Sequence, residues 1–352
     1  MATRAHALRN YTLRRLMLML PTLLGVTFFV FLLCQFVPGG PIDQMKMRIA
    51  GAGDFGEAGG NGRSGQRASS LDIPEEDLLA LKKYYGFDKP ILTRYGAYLI
   101  KLASFDLGDS FRYTMPVETL IASRFPVSIY FGLIAFLLTY LVCIPLGIVK
   151  ALKHKTRLDN VTSILIFLGY SIPGYALGAV LLALFAVQHD WFPLAGFESL
   201  GFAELSFFDK VTDRLYHTAL PVICYAIHLF AFMTILTKNS LMENMSADYV
   251  KTALAKGVTW PRAVFGHALR NSLIPIATSF GNNISLILTG SLLIERVFGI
   301  PGMGLLFFEA ITARDYPIVM GYIFVSATLM LVGNLLSDLC VAGVDPRVRF
   351  GE

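Results

Sequence analysis

The residues whose types and spacing most clearly indicate a function lie in the short polar segment 246–275. Their pattern predicts a surface that binds another protein. Ser246 is predicted to cap a helix, and Asp248 lies in its first turn, where the helix dipole favours a carboxylate. Gly257 is predicted to end this helix in a left-handed conformation, and Pro261 suits the first turn of the next helix. Two short helices broken at a glycine form a surface that a partner can grip.

One face of the first predicted helix carries an apolar stripe of small and medium residues. The stripe repeats at three- and four-residue spacing: Val250, Ala253, Leu254 and Gly257. Lys251 and Lys256 flank it with positive charge. Such a helix fits a groove of a partner protein and passes on rigid-body motion. The alternative is an amphipathic helix on lipid headgroups, but the weak apolar face before Trp260 favours a protein partner.

Motifs that would make the chain an enzyme are missing from its sequence. It contains no HExxH zinc motif and no Gly-x-x-x-x-Gly-Lys-Ser/Thr phosphate loop, so it does not itself hydrolyse ATP. We therefore expect no catalytic residue, no bound cofactor and no metal site. Four cysteines lie singly in apolar runs and are predicted to be buried hydrophobic residues: Cys34, Cys143, Cys224 and Cys340.

The elements that position the polar segment are predicted to be membrane helices. Hydrophobic residues make up 55% of the 352 residues and charged residues only 16%, with a mean hydropathy of +0.58. An average soluble domain has about 25% charged residues. A soluble protein of this composition would expose large apolar patches, so a bilayer is the natural solvent. The formal net charge of +5 is too small to indicate binding to nucleic acid.

A helix that crosses a bilayer needs about 20 mainly apolar residues. Six segments meet this requirement: 16–37, 127–149, 161–187, 219–236, 273–294 and 317–341. The chain is therefore predicted to be an all-α integral membrane protein with six transmembrane helices. The first segment is predicted to be retained, because it is longer than the apolar part of a signal peptide and no small-residue cleavage site follows.

Lysine and arginine set the predicted orientation of these helices. Counted together, they outnumber the acidic residues before the first span, between the second and third, and between the fourth and fifth. The loop 188–218 instead has five acidic residues against two basic ones, and 295–316 is near neutral. Both termini and the segment 246–270 are therefore predicted to be cytoplasmic.

Three regions follow from this topology. Residues 1–37 form the cytoplasmic N-terminus and the first span, 38–125 a periplasmic loop, and 126–352 a core of five helices. Residues 50–70 of the loop are rich in glycine, and their composition does not support a core. Short helices are predicted from Pro74 and over 95–102, with a turn at 106–110.

The segment 249–257 resembles the coupling segment of inner-membrane permeases of ATP-binding-cassette (ABC) importers. Its Tyr-x-x-Thr-Ala-x-Ala-Lys-Gly pattern is similar to the di- and oligopeptide branch, whereas Lys251 and Thr252 depart from the Glu-Ala-Ala pattern of the wider family. Further likenesses to this branch occur in order along the chain: 38–41, 85–90, 106–110, 267–275, 299–304, 313–317 and 345–347. The glycine-rich insertion, 236–240 and 290–295 look like the microcin C/oligopeptide type of permease.

The resemblance implies the type I ABC importer permease fold and a pore-forming role in the import of oligopeptides, or of microcin C-like peptide conjugates, across the bacterial inner membrane. It also implies a second permease subunit, two ATPase subunits that bind ATP and Mg, and a periplasmic substrate-binding protein. Membrane lipid surrounds such a chain. The residues that would couple it to the ATPase are Asp248, Tyr249, Thr252, Ala253, Lys256 and Gly257.

Polar residues inside the apolar segments form a second group of candidates, because such groups in a bilayer face protein or water. Two interpretations of Asn282 and Asn283 stay open: they line the pore, or they bond to neighbouring helices. Glu295 is predicted to end the fifth span at an exposed outer position. Asp338 is predicted to reach the headgroups or to pair with a basic residue such as Arg270.

Two other classes of protein compete with the importer subunit. A stand-alone secondary transporter or channel for small polar solutes would carry intramembrane carboxylates for ion coupling, and the central stretches of the first five spans have none. An intramembrane enzyme would need a Ser/His pair or paired acids within its spans. His228 has no such partner in the sequence pattern, so it is predicted to be an interior histidine.

Overall fold

The computed structural model describes residues 2–36 and 89–344, and most of these residues are helical, which agrees with the predicted all-α class. The α-helices of the first half are α1 Ala2–Phe36, α2 Ile91–Ala103, α3 Val117–Leu152, α4 Arg157–Ser171 and α5 Gly174–Leu181. Those of the second half are α6 Phe207–Ser246, α7 Asp248–Ala255, α8 Trp260–Ala263, α9 Leu269–Thr289, α10 Leu292–Phe298, α11 Met303–Thr312 and α12 Tyr316–Val344. Two π-helical segments, Leu182–Gln188 and Val264–Ala268, follow α5 and α8.

Within the described residues, three helices are long and apolar enough to cross a membrane: Arg9–Phe36, Val117–Leu152 and Tyr316–Cys340. The number rises to five if each of two bent helix pairs forms one span. The count of six spans and the cytoplasmic location of both termini stay predictions.

The helix predicted over 161–187 is broken in the structure. The α4 helix meets the segment Gly174–Gln188 at 93°. Pro173 lies at the break and has no N–H group to donate, and Ile172 before it has an extended backbone, as expected of a residue that precedes proline. The break therefore has a local cause in the sequence, and it leaves irregular backbone beside the core of the helix bundle.

The helix α6 is longer than the span predicted within it. It has 40 residues, but its two parts, Phe207–Ile227 and Leu229–Ser246, meet at 47°. Each part is about 30 Å long, close to the hydrocarbon thickness of a bilayer. The N-terminus of α6 is capped by Ser206, whose hydroxyl accepts a hydrogen bond from the N–H of Asp209.

The described residues fall into two compact units. The first comprises 2–19, 124–306 and 328–344, and its largest buried cluster is built on Phe131, Leu220 and Phe298. Cys143 and Cys224 are buried in this unit, as predicted, and Cys340 is half-buried. All sites analysed below belong to this first unit.

The second unit comprises 20–36, 89–123 and 307–327. In it, α2 packs on α1 through Tyr95, whose hydroxyl donates to the carbonyl of Leu24 at 2.8 Å. This helix confirms the one predicted over 95–102. The N–H of Gly108 donates to the Asp106 carboxylate at 2.9 Å, which confirms the turn at 106–110. The glycine-rich part, the helix predicted from Pro74 and the motif 345–347 lie outside the described residues.

Two motifs that are distant in sequence meet in this second unit. The Ser110 hydroxyl and the Arg112 N–H both donate to Oδ2 of Asp315, at 2.7 and 2.9 Å. The Asp315 side chain is buried. This contact fastens the turn after α2 to the residue that precedes α12.

Candidate functional site

The segment predicted to bind a partner forms two short helices, α7 and α8, separated by a left-handed glycine. Gly257 has φ of +86°, and its N–H donates to the carbonyl of Leu254 at 2.9 Å. The N–H of Val258 donates to the carbonyl of Ala253 at 3.1 Å. This is the Schellman arrangement, which satisfies two carbonyl groups at a helix end. The predicted helix end at Gly257 and the predicted place of Pro261 in the first turn of α8 are confirmed.

The start of α7 differs from the prediction. The N-cap residue is Ala247, and the Ser246 hydroxyl instead donates to the carbonyl of Glu243, because α6 runs on as far as Ser246. The predicted cap by Ser246 is therefore wrong. Asp248 does lie in the first turn, where Lys251 Nζ approaches its Oδ1 to 2.9 Å. The hydrogen bond from Lys251, with its positive charge, lowers the pKa of the Asp248 carboxyl.

The predicted apolar stripe does not form a single buried face. Val250 is only 2% exposed and belongs to the same buried cluster as Val264. Ala253 is half-buried, while Leu254 and Gly257 are exposed. The reason is that α7 has only two turns and is seated mainly through one buried side chain. Most of its surface is left open.

Five of the six predicted coupling residues are exposed, and we call these five the docking face: Asp248, Tyr249, Thr252, Lys256 and Gly257. The sixth, Ala253, is half-buried beside them. Apart from Gly257 and its two chain neighbours, no heavy atom of the described residues lies within 4 Å of the place that a Cβ on Gly257 would take. The docking face therefore offers an open glycine next to a lysine and a partly exposed tyrosine.

A buried cluster beneath the docking face ties it to the long helices. Its members are Ala151, Leu241, Val250, Ala263, Val264 and Ala268. Ala151 lies on α3 and Leu241 on α6. On α6 and α9, Ser240 and Ser272 exchange hydrogen bonds: each hydroxyl donates to the other residue's carbonyl, at 3.1 and 3.3 Å. These contacts attach the docking face to α3, α6 and α9.

A buried charge cluster lies at the same end of α3 and α6. Asp159 of α4 is 3.0 Å from Lys150 Nζ and 2.7 Å from Lys238 Nζ. The side chain of Asp159 is 3% exposed and that of Lys150 is 1% exposed. The sequence pattern does not reveal this cluster, because both lysines look like ordinary cytoplasmic charges. One carboxylate between two ammonium groups joins three helices here.

A cavity of about 840 Å³ opens among helices of the first unit. Its wall includes the break between α4 and α5 at Pro173 and Gly174, and the break between α9 and α10 at Gly290 and Ser291. Among the described residues that line it, none is charged. The volume is in the range of protein sites for small ligands, which is about 300–1,000 Å³.

Asn283, one of the two predicted pore-lining residues, lies in the wall of this cavity. Its Nδ2 group donates to the Tyr140 hydroxyl at 3.0 Å, and its side chain is buried. Asn283 therefore combines the two interpretations left open by the sequence, a bond to a neighbouring helix and a place beside a cavity. The backbone of Asn282 belongs to α9, and its side chain lies outside the described part of the structure, as does that of His228.

Glu295 is fully buried, so its predicted exposure is wrong. Its Oε1 accepts hydrogen bonds from the Ser128 hydroxyl at 2.9 Å and the Tyr225 hydroxyl at 3.0 Å. Its Oε2 accepts one from the N–H of Leu305 at 2.9 Å. The chain turns back after α10 and covers the carboxylate, which a linear view of the span does not predict. Arg296 next to it is exposed.

Glu295 lies one layer behind the cavity wall. The Tyr225 hydroxyl, which donates to Glu295, also accepts a hydrogen bond from the N–H of Ser291. Tyr225 and Ser291 both line the cavity, whereas Glu295 does not. Hydrogen bonds to three different elements therefore keep this carboxylate out of the cavity.

The pairing of Asp338 also differs from the prediction. Arg15 Nη2 lies 3.0 Å from Asp338 Oδ2, and the Tyr11 hydroxyl donates to the same oxygen at 2.9 Å. Pairing with a basic residue is therefore confirmed, but the partner is Arg15 rather than the example Arg270, because the N-terminal half of α1 lies beside Asp338. This contact fastens the N-terminal helix to the last one.

The described residues thus include helices long and apolar enough to cross a membrane, and an exposed polar segment between α6 and α9. The family model described as "Binding-protein-dependent transport system inner membrane component" matches residues 143–350, which is more than half of the chain. The chain belongs to this family. It is therefore an inner-membrane component of a transport system, and such components are not the catalytic subunits.

Curated relatives match nearly the whole chain. The "Peptidoglycan transport system permease protein YejB" of Agrobacterium fabrum is 40% identical, over 97% of this chain and 98% of its own length. The "Inner membrane ABC transporter permease protein YejB" of Escherichia coli O157:H7 is 39% identical over the same shares. The "Oligopeptide transport system permease protein AppB" of Bacillus subtilis is 31% identical, over 97% and 99%. The resemblance to permeases of the di- and oligopeptide branch is confirmed.

Proposed function

We propose that this chain is a pore-forming permease subunit of an ATP-driven importer that moves oligopeptides across the bacterial inner membrane, and that its docking face binds the ATPase subunit. The observation that carries the docking proposal is the contrast within α7. Val250 is buried in the cluster shared with α3 and α6, whereas the docking face is open to a partner. A rigidly seated but exposed helix suits the transfer of motion between subunits.

In the proposed machine, a second permease subunit completes the pore and two ATPase subunits bind ATP and Mg. A periplasmic binding protein delivers the substrate. Membership of a family of binding-protein-dependent transport components supports these partners. The missing phosphate loop in the chain supports the division of labour, in which hydrolysis belongs to other subunits.

Microcin C-like peptide conjugates are the finer substrate class that we propose. The likeness of the glycine-rich insertion and of 290–295 to that type of permease supports it. The measurement is uptake of a peptide and of the same peptide joined to a nucleotide, by cells that contain or lack this chain. Uptake of the plain peptide alone would restrict the substrate to unmodified peptides.

Gly257→Asp tests the docking proposal. The chain leaves space for a side chain at this position, and aspartate tolerates the left-handed conformation better than most residues. The variant should therefore insert and assemble its membrane helices normally. We expect peptide uptake and binding-protein-stimulated ATP hydrolysis to fall about tenfold or more, because a misplaced charge at an interface costs more than about 1.4 kcal/mol.

Gly257→Asn is the matched control, since it adds nearly the same bulk without the charge. A loss in both variants identifies a close packing contact, and a loss in Gly257→Asp alone identifies an electrostatic one. Normal coupled hydrolysis in Gly257→Asp would contradict docking at this face. It would favour the alternative in which α7 lies on lipid headgroups.

A further inference from the structure

A dense group of cations lies on the short connection between α3 and α4, residues 153–157, which we call the basic loop. All of its residues are exposed, and it contains no acidic residue. Lys153, Lys155 and Arg157 supply its positive charge. Within the part of the chain that the structure describes, none of these three forms an ion pair. The basic loop therefore presents uncompensated positive charge at the surface.

The nearest acidic residue does not offset this charge, because its carboxylate is occupied from the interior. Both oxygens of Asp159 accept hydrogen bonds from Lys238 Nζ, at 2.7 and 2.8 Å, and Lys150 Nζ lies 3.0 Å from Oδ1. The N–H of Lys155 donates to Oδ2 at 3.1 Å. Two ammonium groups around one carboxylate leave this cluster with a net positive charge, so it adds to the charge of the basic loop.

Two positions in the basic loop are locally unfavourable. Lys155 has φ of +63°, in the left-handed region that residues other than glycine rarely adopt. Arg157 is the first residue of α4, where the helix dipole favours an anion and disfavours a cation. An anion bound at the basic loop would offset the unfavourable charge of Arg157. The charge pattern therefore indicates an anionic ligand.

An exposed apolar stripe on α4 begins where the basic loop ends. Its members recur at three- and four-residue spacing and are between 39% and 62% exposed: Leu158, Val161, Leu165 and Leu168. Exposed apolar surface of this kind marks a contact with a membrane or with another protein. In an inner-membrane protein, cations at the end of such a stripe lie at the level of the lipid headgroups. Charge and apolar surface are thus arranged as in a phospholipid, with the headgroup beside the acyl chains.

We propose that the basic loop and the α4 stripe together form a binding site for an anionic phospholipid. The predicted cytoplasmic location of the basic loop places this lipid in the inner leaflet. Lys153, Lys155 and Arg157 bind its phosphate, the guanidinium in a bidentate fashion and the ammonium groups as point charges. The stripe contacts its acyl chains. A zwitterionic lipid has the same phosphate but also a cationic group that the basic loop repels, so the site selects lipids by net charge.

The experiment captures the lipid that contacts the stripe. A photoreactive benzoylphenylalanine replaces Val161, which lies about 6 Å beyond Arg157 along α4. The full-length chain, with the subunits that assemble with it, is reconstituted in liposomes of phosphatidylcholine with a minor share of anionic phosphatidylglycerol. Both lipids have the same acyl chains, so their reactivity towards the probe is matched. After illumination, mass spectrometry measures the ratio of the two lipid adducts on the chain.

We expect phosphatidylglycerol to be enriched about tenfold among the adducts relative to its share of the bilayer, because several cations act on one headgroup. The combined change Lys153→Gln, Lys155→Gln and Arg157→Gln should bring the ratio to within about twofold of the bilayer composition. Substitutions of exposed side chains seldom disturb folding, so this variant should assemble. The combination Lys153→Arg, Lys155→Arg and Arg157→Lys keeps the charge and should keep the enrichment.

A matched control separates a built site from the general attraction of a basic surface. Arg9 and Arg14 are exposed cations of α1 and are predicted to lie on the same side of the membrane. Arg9→Gln combined with Arg14→Gln should therefore leave the adduct ratio at Val161 unchanged. A loss in this variant equal to that in the basic-loop variant would overturn the site, because it would show general attraction only.

Two further outcomes would overturn the proposal. An adduct ratio equal to the bilayer composition in the chain with an intact basic loop would show that the site does not select anionic lipid. Adducts between Val161 and protein in place of lipid would show that another subunit covers the stripe. The readout requires no transport, so it tests the lipid site independently of peptide import.

Discussion

The surroundings of the docking face and of the cavity each contain a glycine at positive φ and a buried carboxylate, but the neighbours of these groups differ. Gly257 has φ of +86° and faces open space, whereas Gly290 has φ of +72° and faces a filled one. A Cβ on Gly290 would lie 2.3 Å from Glu295 Oε1. Asp159 is held by two lysines, whereas Glu295 is held by neutral donors.

This difference separates a site that the chain fills with its own atoms from a surface that it leaves open. At the cavity, the need for glycine at 290 is explained by atoms of the same chain. At the docking face, the chain supplies the left-handed turn but no contact that forbids a side chain at 257. If a larger residue at Gly257 impairs the protein by more than its backbone strain explains, then the additional loss must come from a contact with another molecule.

The largest effect on stability is expected for Asp159→Ala. The variant leaves Lys150, which is 1% exposed, without its carboxylate. Removing one partner of a buried ion pair costs about 3–5 kcal/mol. The free energy of unfolding in detergent should fall by about this amount. Lys153→Ala, between α3 and α4, is the control. Because Lys153 is exposed, this change should alter the free energy of unfolding by less than about 0.5 kcal/mol. Equal stability of the two variants would contradict the buried cluster.

The second largest effect is expected for Glu295→Ala, at the cavity. It leaves three donors, from Ser128, Tyr225 and Leu305, without an acceptor. Each unsatisfied buried group costs about 1–3 kcal/mol, so we expect a loss of about 3 kcal/mol or more. Glu295→Gln keeps one acceptor oxygen and should lose less. Thermal unfolding in detergent measures both, and a Glu295→Gln variant less stable than Glu295→Ala would argue against this network.

The third prediction concerns Gly290→Ala and its dependence on Glu295. Gly290 has φ of +72° and ψ of −179°, a conformation that is essentially open to glycine alone, so alanine there costs about 1–3 kcal/mol. The clash with the carboxylate adds to this cost. In the Glu295→Ala background the carboxylate is gone, so the added cost of Gly290→Ala should be smaller than in the unmodified chain. A double-mutant cycle of unfolding free energies measures this coupling. Strictly additive losses would show that the two residues do not oppose each other.

The docking region was largely predictable from local sequence. The left-handed end at Gly257 and the proline at the start of α8 follow from backbone rules that act over a few residues. The cap at Ser246 was not predictable, because the length of α6 decided it. The burial of Val250 without Leu254 depends on the packing of α3 and α6, which a stripe pattern does not contain.

The cavity region was mostly hidden from sequence reasoning. Glu295 looks like an ordinary charge at a helix end, and its burial requires residues 302–305 to fold back over it. Pro173 was the one signal that the sequence did contain for the broken helix, because the residue before a proline avoids the helical conformation. The Asp159 cluster joins residues from three helices, and contacts over such distances leave no periodic pattern.

The smallest effect on the chain itself is expected for Gly257→Ala, and it tests the contrast with Gly290 directly. Both changes introduce a Cβ at positive φ, but only the one at Gly290 meets atoms of this chain. Gly257→Ala should therefore cost only the backbone strain of a left-handed residue, about 1–2 kcal/mol. Unfolding of the purified chain and coupled ATP hydrolysis of the full transporter are measured on the same variant. If ATP hydrolysis loses much more of its coupling than the chain loses of its stability, then Gly257 contacts a partner subunit. If both losses are small and similar, then Gly257 serves only the turn between α7 and α8.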